Sequence, residues 1–266
     1  SRKTMEKICI CSKINDMKEK IGILCASDTE LMPFLKSIHP LRTVKKAMLE
    51  FHIGRVGKIN VIMVYSGVCK VNAAIAAQVL IDFFHVDAII NAGVAGGIDP
   101  DVRLFDTVIS ERMVYHDVSD DILTEYHPWL ESNYFPADPV LLAIAREYGS
   151  TAMYPVLFGT MATGERFIED ENRDEINQKY APLSVDMETT SIAHVCHVNR
   201  IPFLSVRTVT DTSTHKGLEN FEKKVDVVFA KQGIRKKLLE MAEKNAEEYL
   251  SKSIDKIKHK DDMTKN

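Results

Sequence analysis

The chain has 266 residues, 45% of them hydrophobic, and 34 basic against 38 acidic side chains give a formal charge of −4. That length and apolar content can bury a sizeable core in one α/β domain. Neither sign of charge gathers into a long block before the C-terminal tail, which argues against a nucleic-acid stripe, and no apolar run approaches the roughly 20 residues of a membrane helix.

Residues 1–19 are polar and mixed and read as a surface extension. Ser1 stands without an initiator methionine, which reads as a trimmed or tagged chain and leaves a removed signal peptide open. The five cysteines, Cys9, Cys11, Cys25, Cys69 and Cys196, are odd in number and scattered. They read as reduced thiols of a cytoplasmic protein, and Cys9 and Cys11 lack a second Cys or His pair at zinc spacing.

KIGILCAS (20–27) is a short apolar run suited to a buried strand, and INVIMVYSG (59–67) is a second. VNAAIAAQVLIDFF (71–84) has helical spacing and little β-branching. VDAIINAG (86–93) predicts a third buried strand closing on the glycine-rich NAGVAGG (91–97), and DTVISERMVY (106–115) a fourth. DPVLLAIAREY (138–148) predicts a helix with proline near its first turn. IPFLSVRTVTD (201–211) predicts another strand, entered through Pro202; 219–250 is helical again, and 251–266 is a charged, frayed tail. Apolar strands alternating with helices, without a composition break, imply one three-layer α/β/α domain over 20–250 with a central, largely buried sheet.

Ligands in such sheets sit beyond the carboxyl ends of the strands. The polar residues to weigh there are Asp28, Glu30, Ser66, the 91–97 stretch, Glu188, Thr210 and Asp211. Each has a plain structural alternative. Glu30 suits a solvated first helical turn, Asp211 suits a cap, and the glycines of NAGVAGG suit a tight turn. Their G-x-x-G-G spacing is neither a dinucleotide fingerprint nor a phosphate loop. His194 and His197 lie one helical turn apart but lack a third ligand, so structural histidines are the better reading. Three strand ends nonetheless carry carboxylates, Glu30, Glu188 and Asp211, and strand ends converge. Like charges in a partly dry cleft push one acid toward its protonated form, which separates donor from acceptor.

The blocks IGILCASDTE, NAGVAGGIDPDVRLFDTVIS, YHD, GTMATGERFI and SVDMETTSIAHVCHVNRIPFLSVRTVTD lie in this order across the chain. In order and spacing they resemble the 5′-methylthioadenosine/S-adenosylhomocysteine nucleosidases over residues 20–245. The resemblance implies a single mixed-sheet domain of the nucleoside phosphorylase type, a homodimer, a purine nucleoside and water as reactants, and no metal or organic cofactor. It implies that Glu30 activates water and Asp211, preceded by Thr210 at the strand end, protonates the adenine. Glu188 would hold the ribose hydroxyls, with Met187 against the sugar. Phe167 would stack on adenine, the Ile168 backbone would read its edge, and Ala95 and Gly96 would line the base pocket. Val68 and Phe221 would face the 5′-thio substituent.

Breaking an N-glycosidic bond develops an oxocarbenium-like sugar and a purine anion, so an acid belongs over the base and a base over the opposite sugar face. The sequence departs from the family at Ser27, in place of an apolar residue near the 5′ pocket. It departs again at Val94, where bacterial relatives often carry serine, at Asp186, which replaces glutamate, and across 118–135, the segment that helps enclose the partner's 5′ pocket. Three other readings stand beside hydrolysis of methylthioadenosine and adenosylhomocysteine. One is a purine nucleoside phosphorylase, against which Val94 and Glu30 weigh as poor anion ligands. Another is a hydrolase of 6-amino-6-deoxyfutalosine or 5′-deoxyadenosine. The last is a non-catalytic nucleoside-binding protein, which needs no proton donor.

Overall fold

The computed structural model describes residues 20–56, 59–127, 130–168 and 170–212. The expected N-terminal extension, the helical stretch 219–250 with Phe221, and the charged tail lie outside the described residues. In chain order the elements are β1 (Lys20–Cys25), α1 (Asp28–Ser37), β2 (His39–Lys46), β3 (Leu49–Val56), β4 (Ile59–Tyr65) and α2 (Lys70–Asp82). Then come β5 (Ala88–Gly97), β6 (Thr107–Tyr115), α3 (Asp120–Tyr126), β7 (Tyr134–Pro136) and α4 (Pro139–Thr151). Last are β8 (Val156–Thr163), α5 (Asp170–Tyr180), β9 (Ser184–Asp186), α6 (Thr189–Asn199) and β10 (Phe203–Asp211).

The strands form one mixed sheet in which β5 is central. Along one edge β5 runs parallel to β10. Its other edge is shared: Ala88–Asn91 pair with β1, and Gly96–Gly97 pair with β9. Pairings β10–β6, β6–β8 and β8–β9 close this half into a ring, while β1, β4, β3 and β2 extend as an open wing. The period of two along β1 and β4 sorts side chains between the layers. Leu24, Ile62 and Val64 pack with Ala73, Ala76, Ala77 and Leu80 of α2 and Ile192, Ala193 and Cys196 of α6. Ile23, Cys25, Val61 and Met63 face the other way, onto Leu31 and Phe34 of α1. α4 covers Ile109, Leu204 and Val206 through Ala145. The three expected layers are therefore present, with the core on both faces of the sheet. Among the described residues no helix is long and apolar enough to cross a membrane.

Two features differ from the sequence reading. NAGVAGG is neither loop nor turn: β5 continues through it to Gly97. Elements β2 and β3 form an unexpected hairpin, turned by Ala47 and Met48 at φ 49° and 63°. A turn with two left-handed residues ordinarily uses Asn-Gly or Asp-Gly, so an Ala-Met turn leaves no signal in the sequence.

Candidate active site

Because β1 and β9 pair with separate stretches of the same β5 edge, the edge opens between them. A cavity of about 340 Å³ fills the gap. It is lined by Glu30, Val68, Ala95, Gly96, Phe167, Ile168, Met187, Glu188, Thr210 and Asp211, together with neighbours such as Ser27, Val94 and Asp186. Every expected site residue within the described regions thus lies on one wall or another of a single cleft. The volume falls in the range that suits a small ligand.

Glu30 reaches the cleft through its helix start. Ser27 caps α1, its hydroxyl accepting from the Glu30 N–H at 3.2 Å. The Glu30 carboxylate returns the cap: Oε2 accepts from the N–H groups of Ala26 at 2.7 Å and Ser27 at 3.0 Å. Oε1 accepts from the Val94 N–H at 2.9 Å, which satisfies the backbone where the β5 edge is open. Glu30 is 2% exposed, so it is not the solvated first-turn carboxylate of the structural alternative, and a capping box holds it over the sheet. Ser27, a departure from the family pattern, is the cap itself. Gly93 makes the approach possible, because a Cβ there would sit 2.4 Å from Glu30 Oε1.

Beneath the cleft lies Arg207, 1% exposed. Its guanidinium stands 3.8 Å from Glu30 Oε1, 3.4 Å from Asp186 Oδ2 and 3.4 Å from Glu188 Oε2. It also donates to Val94 O at 3.1 Å and to Thr189 Oγ1 at 3.0 Å. Burial acts against its charge, and the surrounding Asp186, Glu188 and Glu30 hold its proton more firmly than usual. Asp186 is an anchor: Oδ1 accepts from the Thr163 hydroxyl at 2.8 Å and from the N–H groups of Glu188 at 3.0 Å and Thr189 at 2.9 Å. It fixes the start of α6 and so aims Glu188. Sequence reasoning saw Asp186 as a mild replacement and missed this role; its pairing with Thr163 joins residues 23 apart in the chain.

Glu188 accepts from the Cys69 N–H at 3.0 Å through Oε1. Burial pushes its pKa up to about 7, with Arg207 opposing and Asp186 and Glu30 adding to the rise. The folded chain therefore holds a proton that the unfolded chain has already released between the usual carboxylate value and about 7. Folding stability is lost as pH rises through that interval, by up to about 3 kcal/mol for one site. Urea titrations at pH 5 and 8 should show this loss in the wild type and a shallower one in Glu188→Gln; equal slopes would remove Glu188 as its source.

Asp211 ends β10 at 2% exposure, and its Oδ1 accepts from the Thr210 hydroxyl at 3.3 Å. Its Oδ2 accepts from Arg173 of α5 at 2.8 Å. Gly96 lets this carboxylate lie against β5, since a Cβ there would be 2.9 Å from Oδ2. Arg173 also donates to Gly97 O. It escaped the sequence reading because α5, DENRDEINQKY, is mostly polar and shows no apolar stripe. Phe167 is 42% exposed at the mouth, whereas the Ile168 side chain is buried with Ile98, Val114 and Ile176. His194 is stacked on Phe135 at 4.7 Å, in the aromatic packing away from the cleft.

Residues 20–240 match the profile of the phosphorylase superfamily. A 5′-methylthioadenosine/S-adenosylhomocysteine nucleosidase of Buchnera aphidicola is 30% identical over 229 residues, covering 83% of this chain and 95% of that protein. The S-adenosylhomocysteine nucleosidase of Streptococcus pyogenes, solved with 5-methylthiotubericidin, superposes with a TM-score of 0.73 at 28% identity, covering 85% of this chain and 96% of its own. The futalosine hydrolase of Helicobacter pylori has the same fold, with a TM-score of 0.76 at 24% identity, covering 86% and 99% of the two chains.

Proposed function

Because the chain belongs to the 5′-methylthioadenosine/S-adenosylhomocysteine nucleosidases of the phosphorylase superfamily, we propose that it hydrolyses the N-glycosidic bond of those two nucleosides, releasing adenine and the 5-thio-substituted ribose. The observation that carries this reading is the convergence of Glu30, Glu188 and Asp211 on one cavity. In the proposed reaction adenine stacks on Phe167, beside Ala95 and Gly96 and against the Ile168 backbone. Asp211 gives a proton to N7, and the C1′–N9 electron pair leaves with the base. Water, its proton taken by Glu30, attacks the opposite face of C1′. Glu188 accepts from the ribose diol and its negative charge favours the developing oxocarbenium, while Met187 packs on the sugar. Val68 faces the 5′-thio group; Phe221 is assigned the same wall but lies outside the described residues.

The charge around the cleft weighs against phosphorolysis. Glu30, Asp186 and Glu188 surround the buried guanidinium of Arg207, so a phosphate reaching that cation would meet the three carboxylates already gathered on it. Adenine release from methylthioadenosine is expected to proceed at the same rate with and without phosphate. A strict phosphate requirement would replace this reading with that of a phosphorylase.

We also propose a homodimer. Val71 and Ile75, one turn apart on α2, are 67% and 45% exposed, and the adjoining Val68, 48% exposed, lines the cavity. An apolar face that runs into the cleft wall suits a second copy that completes the 5′ pocket. Specific activity that stays constant on dilution far below micromolar, with a monomer by sedimentation, would reject it. The proposed compartment is the cytoplasm, in keeping with Cys25, Cys69 and Cys196, none of which forms a disulfide.

A further inference from the structure

We infer that Arg173 is a positioning residue for the proton donor: it aims the Asp211 carboxyl at the departing base and stabilises the carboxylate as its proton leaves. The inference rests on the acid role proposed above for Asp211. Arg173 is 7% exposed and is not part of the cavity lining. Its guanidinium spans three elements, donating to Asp211 Oδ2 at the end of β10 and to Gly97 O at the end of β5, from a position on α5. The two ion-pair side chains are 8% and 3% exposed.

Such a pair is a poor device for holding the fold together, because both ions lose their water and the attraction does little more than offset that loss. Its placement has a chemical use. A carboxyl that donates to N7 becomes an anion at the moment the C1′–N9 bond yields its electrons to the base. A guanidinium already within hydrogen-bond distance stabilises that anion without any rearrangement, and so favours the transition state over the bound substrate. Two parallel constraints fix the geometry: Oδ2 is held by Arg173 and Oδ1 by Thr210, with Gly96 leaving room behind. Arg173 also follows the Phe167–Ile168 stretch by a few residues, so the segment assigned to the base and the clamp on the acid share one short piece of chain. The proton balance is unchanged: Asp211 recovers a proton from solvent after adenine leaves, and Glu30 returns to solvent the one taken from water.

The test is a double-mutant cycle on adenine release, with Arg173→Met and Arg173→Lys made alone and with Asp211→Asn. Arg173→Met is expected to lower kcat about 10²-fold, as loss of one preorganised donor does, with KM changed less than about threefold. Arg173→Lys should recover part of the loss, since it keeps the charge but not the fork. In the Asp211→Asn background neither change should cost anything further, because the residue acts only through the acid. Equal fractional losses in both backgrounds, or a loss confined to KM, would overturn the inference and leave Asp211 in place. Should Arg173→Met fail to fold, the lysine variant in the two backgrounds decides the same question. An Asp211→Asn enzyme as fast as wild type removes the acid role itself, and a wild type that releases no adenine removes the functional reading with it.

Discussion

Asp211→Asn is expected to lower kcat for methylthioadenosine by about 10²–10⁴-fold, the usual contribution of a general acid, or about 3–5 kcal/mol of barrier. Adenine leaves poorly as an anion, so protonation at N7 lowers the barrier to C–N cleavage. Asparagine keeps the shape of the side chain. Its carbonyl can still accept from Arg173, where Oδ2 now does at 2.8 Å, and its amide can still donate to a purine nitrogen. Ligand binding by calorimetry should therefore change less than tenfold while turnover collapses, the pattern of an interaction made only in the transition state. Unchanged turnover would take Asp211 out of the donor role; a collapse of binding together with the rate would make it a contact rather than an acid.

Glu30→Gln is expected to lower kcat/KM by a similar about 10²–10⁴-fold, through loss of the group that deprotonates water. The surroundings sharpen the effect. Three backbone N–H groups, those of Ala26, Ser27 and Val94, converge on the two carboxylate oxygens. Glutamine offers one oxygen and one NH₂, so at least one donor must face a donor. The amide must then turn away or leave an N–H unsatisfied, and the open edge of β5 loosens at Val94. Rate measurements paired with thermal unfolding separate the two consequences. A variant that melts lower yet turns over at the wild-type rate would leave Glu30 as a capping residue only.

Much of the fold was legible because its signals are local. The runs KIGILC and INVIMVY are buried throughout or nearly so and read as strands without help. Asp138 caps α4 ahead of Pro139, accepting from Val140 and Leu141 at 3.0 Å each, as the placement of the proline suggested. The hairpin at Ala47 and Met48 and the polar helix α5 were not legible. One departs from ordinary turn chemistry, and the other buries Arg173, Ile176 and Tyr180 among exposed charges. NAGVAGG misled because glycine signals turns by its conformational freedom, whereas Gly93 and Gly96 are small to admit the carboxylates of Glu30 and Asp211.

The amino-acid order by itself determined which carboxylates could meet. Each of Glu30, Glu188 and Asp211 closes or follows a strand. β1 and β10 run parallel to β5, which brings Glu30 and Asp211 to one side, whereas β9 runs antiparallel to β5 and delivers Glu188 through its pairing at Gly96 and Gly97. Only the tertiary structure decided what surrounds them. It set Arg207 between Glu30, Asp186 and Glu188, and Arg173 against Asp211, across separations that no periodicity spans. The reason is physical: apolar patterning reports burial, which a residue carries in its own sequence neighbourhood. The charge that a buried acid feels depends on distance in space, and a chain fixes that only by folding.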